Sequence, residues 1–512
     1  MENLGSGLAR LVPGAVVAAL LLAVGCSPPP HREREFNAGW VVSANVLQRW
    51  NEEKARLGST FGGSPAWRSH VQFVERELRD RGVRLLPRLP APYDRWHTSD
   101  DPASDRWSLT IDGKPVPVAG YWAYSGSTAA DGVTAPLLLY DADRAGELAG
   151  RIVVFSVPSL PESPPAIFVP PPAEFVTADV GATGIASQQW YQVNYPTRFG
   201  RWDSVLRGSG AAGAIVVYDL SPERARGLYT FPLLDARPVG VPGLHVDRDA
   251  GAMVKAAAAQ GSKATLRLLA ETARAEPWFL TGILPGRDFG TPKDELVMLV
   301  THTDGPNLSQ ENGALTVLAI VDYFAKLTQL ERRRSILVVL DPQHYSPGRH
   351  LVDWYAENPQ IMERVVASIG VEHFGQREFG GANGALQLTG RPEKTLIFAQ
   401  DNARLVEAAV EAIRAEAVPR TELRVPARRQ GPWVGLGEIG PKLGLPAYGT
   451  STDMSAYWST APGIESFDAD LARRQLGVLV RLTETLLTEN LATLAVSTRA
   501  TVPAEPGRSE AR

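Results

Sequence analysis

Leu296-Val297-Met298-Leu299-Val300-Thr301-His302-Thr303-Asp304 is the stretch on which the reading of this chain turns. The apolar run 296–300 predicts a buried strand. It delivers His302 and Asp304 to the mouth of a sheet. Glu311-Asn312-Gly313 follows seven residues after Asp304, and the amphipathic stretch 314–327 predicts a helix that carries the chain away. In open α/β sheets ligands and metals bind outside the carboxyl ends of strands. A His and two carboxylates converging there are the usual materials of a zinc or mixed divalent-metal site.

Outward from this stretch, strands and helices alternate. After 296–300 and the helix to 327 come a strand at 336–340, a helix at 351–364, a strand ending at 371, and helices at 403–415 and 471–487. That alternation predicts an α/β fold with a doubly wound mixed sheet. Upstream, helices are expected over 41–57 and 65–81, the second with Ser64 as N-cap, Pro65 at the first helical position and Gly82 past its end. A strand follows at 83–86. Between 100 and 275 the texture changes to short segments divided by Pro and Gly, at 135–140, 151–155, 214–218, 243–246 and 264–269. This predicts a β-rich unit inserted into the larger domain. No internal repeat is present.

At 512 residues the chain is too long for one core. Its 44% hydrophobic and 21% charged residues are ordinary for a globular protein. A formal charge of −4 argues against a nucleic-acid partner. Arg332-Arg333-Arg334 reads as a solvated lead-in to the strand at 336–340. At the amino terminus, Arg10 precedes an apolar stretch, 11–24, that is interrupted by Pro13 and Gly14 and too short to span a bilayer stably. It ends in Leu22-Ala23-Val24-Gly25-Cys26, and Cys26 is the only cysteine. This resembles a bacterial lipoprotein signal, in which the cysteine is lipidated and becomes the new amino terminus; a plain secretory peptide is the alternative. Ser27-Pro28-Pro29-Pro30 fits a stiff tether between membrane and domain. The expected location is the cell envelope, lipid-anchored and outside the cytoplasm. With one cysteine, no internal disulfide is possible.

Three motifs make the inserted unit resemble a protease-associated (PA) domain: Gly150-Arg151-Ile152-Val153-Val154, the small-residue turn Gly210-Ala211-Ala212-Gly213 into Ala214-Ile215-Val216-Val217, and Val241-Pro242-Gly243-Leu244. Residues 36–490 as a whole resemble the di-zinc exopeptidases, the family of secreted bacterial aminopeptidases and glutamate carboxypeptidase. Thr281-Gly282-Ile283-Leu284-Pro285-Gly286 is similar to their entry strand. The resemblance implies a division into a signal peptide (1–25), a tether (26–36), the amino-terminal helical part of the peptidase-like domain (37–99), a non-catalytic PA lid (100–275), the zinc-exopeptidase-like domain (276–490) and a disordered tail (491–512).

The same resemblance implies a ligand set. His302 would bind one metal with Asp304 orienting it, and Glu311 would bridge two metals. Where the family has a general base followed by a ligand, this chain has Gln343 and His344. Gln343 carries no protonatable group at neutral pH and cannot take a proton from a metal-bound water. Glu372 stands where an Asp ligand is expected. No His occurs after His373, so Glu438, ahead of Gly444-Leu445-Pro446, is the substitute for the last ligand. Tyr457 to Pro462, with Phe467-Asp468 beyond, resembles the closing loop. One metal would then use His302, Glu311 and Glu372, and a second Glu311, His344 and Glu438. Zinc is the first expectation, as one or two ions, with Mn, Mg or Ca as the alternatives that harder carboxylate ligands would suit.

Plainer readings stand beside these. His302 and Asp304 can close a strand end as a hydrogen-bonded pair, Glu311 can serve a helix amino terminus, and His344 can be a polar loop residue. His373 is expected on the opposite face of the strand from Glu372, in the core. Three functions are therefore open. The first is a metallo-exopeptidase of aminopeptidase type acting on peptides or small amides. The second is a catalytically weak or inactive homologue serving as a binding or scaffold lipoprotein. The third is single-metal chemistry like that of the glutaminyl cyclase relatives of this fold.

Overall fold

The computed structural model describes residues 35–496 apart from 102–103, 160–171, 182–185, 230–237, 382–384, 430, 454–458 and 461–462. Cys26, the signal stretch, most of the tether and the end of the tail lie outside the described residues, as do Tyr457, Trp458, Ala461 and Pro462 of the expected closing loop.

The main sheet takes its strands from both sides of the inserted unit. They are β1 (Arg84–Leu85), β2 (Trp278–Leu284), β3 (Leu296–His302), β4 (Ser335–Asp341), β5 (Val365–Gly370), β6 (Thr395–Ala399), β7 (Thr421–Arg424) and β8 (Ala447–Thr452). Their order in space is β1-β2-β4-β3-β5-β8-β6-β7, within a ten-stranded mixed sheet. Every residue of β3 and β4 is buried, as expected for strands covered on both faces. β3 runs parallel to β4 on one side and to β5 on the other. The chain thus steps from β3 one way to β4 and then back across it to β5. Such a reversal leaves a crevice at the carboxyl ends of the strands on either side, and the His302 and Glu372 segments both emerge there. The fold is the expected α/β class with a doubly wound mixed sheet.

Helices α1 (Ala44–Arg56), α2 (Pro65–Asp80), α3 (Gly313–Ala325), α4 (Ala403–Glu416) and α5 (Ala469–Thr488) cover the sheet. Ser64 caps α2 by accepting the Trp67 N–H at 3.0 Å, with Pro65 at the first position. α3 is apolar on nearly every face and almost wholly buried, because it lies between β3 and the helices α2 and α5. The helix expected over 351–364 is broken. It stops at Glu357, and a new turn, Pro359–Met362, begins, since Pro359 cannot supply the N–H a continuing helix needs.

The inserted unit folds around its own eight-stranded sheet. Ile152–Ser156, Gly213–Val217 and Gly243–Val246 form its parallel centre, and Trp122, Phe155 and Tyr218 are among its fully buried side chains. One piece departs from a clean insertion: Phe175–Val176 leaves this sheet and pairs with β7 at the far edge of the main one. The unit also reaches the crevice, where Tyr229 donates its hydroxyl hydrogen to the Tyr345 carbonyl at 3.1 Å.

Gly313 and Asn312 fix how α3 leaves the crevice. Asn312 donates from Nδ2 to the Phe374 carbonyl at 2.7 Å and accepts the Phe374 N–H at 3.1 Å, clamping the start of α3 to the chain beyond β5. A Cβ at Gly313 would collide with Thr301 Oγ1 and stand 2.5 Å from the Val371 carbonyl oxygen. Both neighbours are held by the sheet, so neither can give way. Gly313→Ala is expected to destabilise the protein by roughly 1–3 kcal/mol or more. A lowered urea midpoint with an unchanged slope is the expected reading.

Candidate functional site

β3 ends at His302, whose Nδ1 lies 2.7 Å from the Asp304 carbonyl oxygen. That contact requires the proton on Nδ1 and leaves a lone pair on Nε2. Nε2 is buried and has no hydrogen-bond partner among the described residues. The carbonyl of Asp304 therefore orients the imidazole, while its carboxylate is 3.9 Å from Nδ1. That carboxylate accepts the backbone N–H of His344 at 2.8 Å and of Tyr345 at 2.9 Å. Asp304 thus pins the loop after β4 to the end of β3, a role not foreseen for it. Burial, with Asp341 close by, pushes its carboxyl well above the ordinary range.

The pinned loop contains the two residues that stand where the resemblance places a base and a ligand. Gln343 is fully buried, and its side chain is spent on the loop itself. Nε2 donates to the Pro347 carbonyl at 3.1 Å, and Oε1 accepts the Arg349 N–H at 3.0 Å. The His344 ring stacks on His302, with centroids 4.7 Å apart. Burial depresses the basicity of both, to about 3 for His302 and well below the usual value for His344.

Beyond β5 the chain turns sharply. The strand ends at Gly370, and His373 has φ +60°. The expected alternation therefore does not reach His373. Its Nε2 sits 4.0 Å from Glu372 Oε2, which brings it toward the crevice, where its protonation and that of His302 disfavour each other and His344 also disfavours a proton on it. Glu372 accepts the Leu436 N–H at 2.7 Å. Burial raises its carboxyl to about 7, partly offset by that bond. Glu438 is not brought into the group: it is exposed, and its carboxylate pairs with Lys442 at 2.7 Å.

Lys54 is the residue that sequence reading missed. It stands on the buried stripe of α1 with Leu47 and Asn51, and its Nζ lies 3.3 Å from Glu311 Oε2. Its side chain is 1% exposed and that of Glu311 0%. Around it the chain between α1 and α2 is stitched over the end of β3. The Thr60 N–H donates to the Gly305 carbonyl at 3.0 Å, Ser59 Oγ to the Pro306 carbonyl at 2.9 Å, and Trp67 Nε1 to Thr303 Oγ1 at 2.8 Å. A lysine at i+7 on an otherwise buried helical stripe was the available signal.

These residues do not fit the two-ion centre that the resemblance implies. The intended bridging carboxylate faces an ammonium, one intended ligand is on the surface, and the base position is an amide tied into its own loop. Among the described residues no group of three or more His, Cys, Asp or Glu side chains is arranged to hold a metal ion.

No protein-family model matches the chain, and no curated protein matches it in sequence. Solved structures do match in fold. A peptidase M28 precursor from Shewanella amazonensis SB2B is similar at a TM-score of 0.58 and 15% identity, over 88% of this chain and 98% of that one. An aminopeptidase from Aneurinibacillus sp. strain AM-1 is similar at 0.56 and 13%, over 88% and 96%. A zinc aminopeptidase from Bacillus subtilis is similar at 0.55 and 12%, over 90% and 97%. At these identities the likeness is one of fold: the chain is built like a zinc aminopeptidase along nearly its whole length.

Glu372 offers a pH test of the site's burial. Its folded-state value of about 7 lies above the ordinary 4.5, so between those values the folded protein holds a proton the unfolded chain has released. Its contribution to stability is complete below about pH 4.5 and is lost as pH rises through 7. Glu372→Gln keeps an acceptor for Leu436 and cannot ionise. Urea melts at pH 5 and pH 7.5 are expected to show a smaller fall in stability for the variant, by at most on the order of 3 kcal/mol.

Proposed function

We propose that this chain is a lipid-anchored protein of the cell envelope that uses a peptidase fold to bind peptides or small amides without hydrolysing them through a metal-activated water. Gln343 carries the reading. At the position where the fold's enzymes would need a general base, both ends of a neutral amide are engaged by Pro347 and Arg349. A group so held accepts no proton and is not aimed at a substrate. The inserted unit serves as a PA-type lid, its Tyr229 touching the same loop. Lipidation at Cys26 supplies the anchor.

A metallohydrolase of aminopeptidase type is the second reading. The observation that favours it is His302, whose buried Nε2 lone pair is preset by the bond at Nδ1, with His344 stacked beside it.

A peptide library incubated with the full chain in detergent, with Zn²⁺ or Mn²⁺ added, separates the two. Fluorescence anisotropy is expected to register peptide binding, and mass spectrometry no shortening of the peptides. Cleavage that disappears in His302→Ala would replace the first reading with the second. The anchor has its own check. Cys26→Ser is expected to move the protein from the membrane fraction to the soluble one, and an unchanged membrane fraction would remove the lipid from the account.

A further inference from the structure

Glu311 is a carboxylate with no exposure to water, set between the end of β3 and the start of α3. A buried charge of this kind persists only beside an opposite charge or a metal ion. In a two-ion centre the ions would meet that need. Here the need is met from another part of the chain, 257 residues away in sequence.

We propose that the Lys54 ammonium holds the place of a divalent ion at Glu311, so that the chain's own positive charge closes the centre from within.

Two features support this. Lys54 comes from a rigid element: α1 packs on α5 and α3, and Asn51 bonds back to the Leu47 carbonyl at 2.8 Å one turn earlier. The segment following α1 is fastened over the site by Ser59, Thr60 and Trp67, so the lysine is delivered by a closed cover. A divalent cation entering at Glu311 would meet that ammonium at close range and could enter only by expelling it or stripping its proton. The inference deepens the binding reading, for it explains why the fold's ion is dispensable here, but it rests on a different observation from Gln343.

The test is a Co²⁺ titration of the chelator-stripped full chain in detergent, followed by calorimetry and by visible absorption of the bound ion. Lys54→Met removes the charge and keeps the stem, while Lys54→Arg keeps the charge. Wild type and Lys54→Arg are expected to show no saturable site, and Lys54→Met is expected to gain one, with the gain abolished by adding His302→Ala. Where Lys54→Met unfolds more easily, because its carboxylate is stranded, the same titration is read by Tm: Co²⁺ is expected to raise the Tm of the variant and not that of wild type. Binding by wild type that depends on His302 overturns the proposal, as does a Lys54→Met protein that gains neither affinity nor Tm. The two readings fail separately. Peptide cleavage that persists in chelator would end the binding reading and leave the role of Lys54 standing. Wild-type ion binding through His302 without cleavage would do the reverse.

Discussion

A carboxylate shut away from water at the end of an apolar strand has to be neutralised, and the way Glu311 is neutralised organises this protein's centre. Lys54 can reach it only if α1 lies across the carboxyl end of β3, and α1 lies there because the segment after it is bonded to residues 303, 305 and 306. α3, which begins two residues after Glu311, is held by the reciprocal pair between Asn312 and Phe374. The ion pair, the cover and the exit helix are thus one arrangement. Removing either charge would strand the other in a dry site, where the cost exceeds what the intact pair is worth.

The loop after β4 shows the same economy of polar groups. Asp304 accepts two backbone N–H groups from it, Asp341 accepts the Gln343 N–H, and the Gln343 amide spans it from Pro347 to Arg349. The side chains of Asp304 and Gln343 are thus turned toward backbone partners. Satisfying buried groups in this way stabilises a loop and removes its reactivity, because an engaged donor or acceptor is not available to a reacting atom. Basicity follows the same course: His302 and His373 are held near 3 by burial, so both imidazoles stay neutral at physiological pH.

Much of the fold was legible because apolar periodicity is a local property. Residues 296–300 and 336–340 read as buried strands and are so, and Ser64-Pro65 marked the start of α2. His302 and Glu311 stood out because one follows such a strand and the other precedes a helix, while His344 and Glu372 were added by the resemblance alone. Other features depended on backbone details with no sequence signature at that scale. His373 left the alternation because the strand ends at Gly370 and the chain turns through φ +60°. Glu438 turned to solvent and Lys442 because its short helix presents that face outward. Phe175–Val176 joined the main sheet through a pairing that no local pattern encodes.

From its residues alone, this protein's class, its alternation of strands and helices and the crevice at the end of β3 were legible, since each rests on neighbours a few positions apart, whereas the reading of Gln343 at a base position came from the resemblance. Only the tertiary structure decided what that crevice became. The partner of Glu311 lies 257 residues earlier, and pairing across such a span is set by how helices pack on a sheet, not by spacing along the chain. A lysine on a helix has no meaning for a carboxylate until the fold brings the two within 3.3 Å and takes the water away.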